Sequence, residues 1–70
     1  MSHIVVIVGL SGREFFLDRD GAAVEQAKNA KPFRSEHAAV GAAEAHLTEV
    51  SRRYCPAVAR GMSYRVEPRA

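Results

Sequence analysis

Ile4-Val5-Val6-Ile7-Val8 is the stretch on which the fold turns. Five consecutive β-branched residues favour an extended, pleated backbone, so the segment reads as a strand. Successive side chains of a strand alternate between faces, so Ile4, Val6 and Val8 point one way and Val5 and Ile7 the other. Both faces are apolar, which suits the centre of a sheet.

Ser11-Gly12 follows as a turn, and Glu14 to Asp18, with Phe15, Phe16 and Leu17, reads as a second strand antiparallel to the first. Asp18-Arg19-Asp20-Gly21 places Asp and Gly at the first and fourth positions of a type I turn. In residues 22–34, Ala22 to Val24 fits a short strand and Glu25 to Ala30 a helical turn, and Pro32 stops any helix before Phe33. Ser35 is a good N-cap with Glu36 in the first turn. Val40, Ala43, Leu47, Val50 and Tyr54 then recur at three- and four-residue spacing. This predicts an amphipathic helix ending near Arg53 or Tyr54, ahead of Pro56, with Tyr54 in its buried stripe. After a loop containing Gly61, Met62, Tyr64 and Val66 alternate with Ser63, Arg65 and Glu67, a strand with one buried face.

The expectation is one α+β domain over residues 1–70, of ββαβ order, with one amphipathic helix packed on one face of the sheet. The sheet is a three-stranded antiparallel or mixed one of order 2-1-3. A right-handed crossover places the last strand beyond the first, parallel to the second.

A domain of this length buries only roughly 60% of the surface that its unfolded chain exposes. With Cys55 as the lone cysteine, no internal disulfide can reinforce the core, so association with a partner is the expected supplement. Two surfaces suggest where. One is a sheet face left uncovered by a single helix, with Val5, Ile7 and Phe16 forming an apolar patch and Arg65 alongside. Either residues 22–34 fold over that face or another chain does, a second copy forming a homodimer being one case. The other is a helix face of small residues, Ala38, Gly41, Ala42 and Ala45, that lets another backbone approach.

Charge adds a different class of partner. The net charge of +2 is small, but Lys28, Lys31 and Arg34 form one acid-free run, and Arg52, Arg53, Arg60 and Arg65 form another. Such runs suit phosphates or acidic proteins, or serve simply as solvated faces. No apolar run is long enough to span a membrane, and Ile4 to Leu10 lacks the flanks of a signal peptide. With one cysteine, this points to the cytoplasm.

The chemistry of catalysis does not assemble. Gly9-Leu10-Ser11-Gly12 precedes a strand instead of a helix and lacks the lysine of a phosphate loop. Asp18-x-Asp20-Gly21 lacks the glutamate that closes a calcium loop. His37 and His46 fall on opposite sides of the helix, and His3 has no companion, so no metal is expected. Cys55 sits at a helix C-terminus, the wrong end of the dipole for a thiolate, and is expected to be partly buried. The chain is therefore not expected to be an enzyme or to carry a cofactor.

Phe16-Leu17-Asp18 leading into Asp20-Gly21, then Ala27 and Ala30, then Phe33-x-Ser35 opening an alanine-rich helix, resembles small accessory proteins of phages and other mobile elements. These include anti-defence inhibitors of the anti-CRISPR type. The likeness covers residues 16–47. It implies that Phe33 anchors the loop before the helix to the core. It also implies an inhibitor that occludes a host protein or nucleoprotein complex. The leading expectation is such a non-catalytic protein-binding module. The alternative is a small nucleic-acid-binding protein using runs 28–34 and 52–65.

Overall fold

The computed structural model describes residues 2–69. Strand β1 (Ser2–Val8) is followed by β2 (Glu14–Leu17), β3 (Ala23–Val24) and a 3-10 turn (Ala27–Asn29). Helices α1 (Glu36–Arg53) and α2 (Pro56–Arg60) come next, and β4 (Ser63–Arg69) ends the order. The sheet runs β3-β2-β1-β4 with every neighbouring pair antiparallel. The expected three-strand order is present, with β1 central, and a fourth strand of two residues extends the β2 edge.

Local chemistry explains the connections. The β1–β2 turn is closed by Gly12 N–H on Gly9 O (3.0 Å) and Gly9 N–H on Arg13 O (2.8 Å). Gly12 has φ of 85°, a conformation that favours glycine. In the β2–β3 turn, Gly21 (φ 80°) donates to Asp18 O, and Asp18 Oδ1 accepts the N–H groups of Asp20 and Ala22, each at 2.9 Å. Ser35 caps α1, its Oγ accepting the Ala38 N–H at 3.1 Å. The stretch read as a loop with Gly61 holds the one-turn α2. Pro56 is its first residue, a position where the missing N–H costs nothing.

The register decides which face the helix covers. Val5 lies opposite Val66, and Ile7 lies opposite both Phe15 and Tyr64. These residues share one face with Leu17, and Val5, Ile7 and Leu17 pack there on Ala39 and Ala43 of α1. Phe33 packs against the same cluster, and its backbone pairs with His3 through hydrogen bonds of 2.9 and 2.7 Å. It is the loop anchor that was expected.

Several expectations need correction. Val5 and Ile7 are not on an open face: both are 0% exposed beneath α1. Phe16 lies opposite Val6 and therefore shares the other face with Ile4, Val6 and Val8. That second face presents no bare apolar patch either, since Ile4 is 3% and Val6 0% exposed. Along α1 the buried line runs through Ala39 and Ala43, so Tyr54 is 71% exposed and Ala42 leans on the core. Cys55 is exposed.

Candidate functional site

The second sheet face carries an ionic strap. Arg65 is opposite Val6 on β4, and Glu14 is opposite Val8 on β2. Their ion pair, Nη1 to Oε2 at 2.8 Å, therefore crosses the central strand on the Val6 side. Arg65 Nε also donates to Glu67 Oε2 at 2.7 Å. The hydrogen bond from Arg65 holds the Glu14 carboxyl below its ordinary value of 4.5; partial burial opposes this, and the arginine's charge adds to it. The two carboxylates push the guanidinium's pKa further up. Arg65 thus covers the sheet and is occupied by its own chain.

Most of the second basic run is engaged in the same way. Arg52 and Arg53 reach Glu49, three and four residues earlier on α1, at 3.5 and 3.3 Å. Arg13 pairs with Glu25. Arg60 ends α2 with no carboxylate within ion-pair distance among the described residues. The small-residue helix face is open: Gly41 and Ala45 are exposed, and a Cβ added at Gly41 meets nothing within 4 Å.

The first run is arranged differently. Lys28, Lys31 and Arg34 are exposed, and among the described residues none of them has a carboxylate within ion-pair distance. An open pocket of about 560 Å³ is lined by Arg19, Lys28, Asn29, Ala30, Lys31 and Pro32. Three cations converge on it, and no acid is among its walls. The Lys31 N–H donates to Leu17 O at 2.8 Å, which ties the far wall to the end of β2 beside the Asp18–Gly21 turn that carries Arg19. The Lys31 ammonium stands 5.1 Å from the Phe33 ring centre, a cation–π contact that steadies the side chain without neutralising it. Arg34, three residues on, lies outside the pocket walls. Arg19 belongs to neither basic run, and only the β2–β3 hairpin brings it to the lysines.

A second, smaller pocket of about 230 Å³ has His46, Glu49, Arg53 and Tyr54 in its walls. His46 Nδ1 lies 3.3 Å from Gly21 O, a bond that ties α1 to the β2–β3 turn, and Glu49 is already paired with arginines. Among the described residues no group of three or more His, Cys, Asp or Glu side chains is placed to hold a metal ion. Among the described residues, likewise, no helix is long and apolar enough to cross a membrane. No family model, no curated protein and no solved structure matches this chain.

Proposed function

We propose that this chain is a non-catalytic binding module that docks on an anionic partner through the pocket edged by Arg19, Lys28 and Lys31. The observation that carries the reading is the convergence of three cations, free of carboxylate partners, on one acid-free concavity. Elsewhere the basic side chains are mostly matched within the chain, and Val5 and Ile7 are buried beneath α1, with Phe16 half-buried on the other face. A cation with no internal partner keeps its full attraction for an external anion. A concave setting with a low-dielectric wall strengthens that attraction. A module of this kind acts by occupying a surface, and the likeness to mobile-element inhibitors makes an acidic host complex one target it would occlude.

The test compares two charge reversals for retention of partners from bacterial lysate. Lys28→Glu with Lys31→Glu is expected to abolish retention, whereas Arg52→Glu with Arg53→Glu retains it. Equal retention by both variants would overturn the reading.

A further inference from the structure

We propose that the Arg19–Lys28–Lys31 pocket is a phosphate seat, and that through it the protein grips the backbone of nucleic acid without reading its bases. This rests on the anion-binding reading above and names the ligand.

The topology concentrates charge at one end of the molecule. The start of β1, the end of β2, the end of β4 and the start of α1 lie together, because Ser2 pairs with Arg69 and His3 pairs with Phe33. Arg19, Lys28, Lys31, Arg34 and Arg69 all belong to this end. The N-terminus of α1 adds its partial positive charge there. The acids of the same end are Asp18, Asp20, Glu36 and Glu67, which lies opposite Ile4; Asp18 Oδ1 is turned inward onto two backbone N–H groups, and Glu67 is taken by Arg65. The cations therefore extend beyond one pocket. Arg34 follows Lys31 within roughly 10 Å of extended chain. A partner with a single phosphate would leave Arg34 unused, whereas a backbone with a phosphate on every residue engages the row.

The absence of base reading follows from the aromatics. Phe33 is the aromatic nearest the pocket, and its ring packs on the core with Lys31 over it. No ring beside the pocket is left as a stacking platform, and the pocket walls are Lys, Arg, Asn, Ala and Pro. Contacts to phosphate position a strand and carry no sequence information.

Fluorescence anisotropy with labelled short oligothymidylate, a mixed-sequence strand and a duplex tests this on the full chain. The expected affinity is that of non-specific binding, on the order of 10⁻⁴ to 10⁻⁶ M, equal for the two single strands. Three phosphate contacts predict a slope of log K on log salt of about −2 for single strands and about −3 for duplex. The duplex arm shows whether paired backbone enters the seat as well. Lys28→Ala and Lys31→Ala should each reduce the slope by about 1, and together they should weaken binding about tenfold or more. Arg52→Ala with Arg53→Ala, also on the surface, should stay within about twofold. No binding at about 50 mM salt, or equal losses in the two pairs of variants, would overturn the phosphate seat. Loss of lysate retention in the Lys28→Glu, Lys31→Glu variant together with no oligonucleotide binding by the wild type would overturn it too, and would leave the anion-binding reading standing with an acidic protein as partner.

Discussion

Gly41 lies in the middle of α1 with solvent around it, and a Cβ there meets nothing within 4 Å. Glycine in an exposed helix interior costs about 1 kcal/mol relative to alanine, through the entropy lost in fixing its backbone. Gly41→Ala should therefore raise the free energy of unfolding by about 1 kcal/mol in urea titration. The same variant tests the small-residue helix face, since a partner seated against Gly41 would lose affinity as the fold gains stability. Glu14 gives a prediction in pH. Its carboxyl is held below the ordinary value by the hydrogen bond from Arg65, so the folded state favours the ionised form. That stabilisation is present above the unfolded-state pKa and is lost as pH falls through the lower folded-state value. Both side chains of the pair are 46% exposed, so the effect is small. Unfolding midpoints between neutral pH and strongly acidic pH should fall less steeply for Glu14→Gln than for the wild type. Coincident acid limbs would show that the strap contributes nothing.

At the scale of elements, α1 depends on its first turn and on its alanine face. Ser35→Ala removes the acceptor for the Ala38 N–H and should cost about 1 kcal/mol, measured as a lower urea midpoint. Ile7→Ala removes a fully buried side chain from between the sheet and α1 and should cost about 2–5 kcal/mol, which brings a domain this small close to unfolding. The strands β1, β2 and β4, the cap and the length of α1 were legible because each rests on a local signal: β-branched residues, alternation, an N-cap, a terminal proline. α2 was not, because a proline that ends one helix equally suits the first position of the next, and Pro56 does both. The face of the sheet was not legible for a different reason. Alternation gave two faces for β1 and two for β2, but only the register says which go together, and a slip of one residue exchanges them. Val6 opposite Phe16 is set by the Gly9–Arg13 turn, and it places Val5 and Ile7 under the helix. The wet face of β4 carried the missing clue: Arg65 lies opposite Val6, so the face with Phe16 is the one that also holds charges.

At the scale of the whole molecule, charge pairing divides the two basic runs that looked alike in the sequence. Glu49 lies three and four residues before Arg52 and Arg53, so that neutralisation was readable from helical spacing. The Arg65–Glu14 pair, 51 residues apart, and the arrival of Arg19 beside Lys28 and Lys31 needed the tertiary structure. Burial likewise revises the need for a second copy. The sequence suggested that one helix would leave a sheet face bare, to be covered either by residues 22–34 or by another chain, a second copy being one case. In the structure, residues 22–34 are tied back to the sheet by β3, by Lys31 on Leu17 and by Phe33 on His3, and four consecutive residues of β1 are at most 3% exposed. Among the described residues, Leu10 and Tyr54 are the large hydrophobics that remain exposed. They do not form the contiguous face that a stable homodimer requires. Leu10 moreover lies against Gly61, at the end of β1 opposite to the basic pocket. Sedimentation of the purified chain should therefore give the mass of one 70-residue polypeptide, unchanged as concentration rises into the hundred-micromolar range. A dimer at low concentration would return the question to the open helix face. In that case Gly41→Ala should shift the monomer–dimer equilibrium, while Lys28→Glu should not.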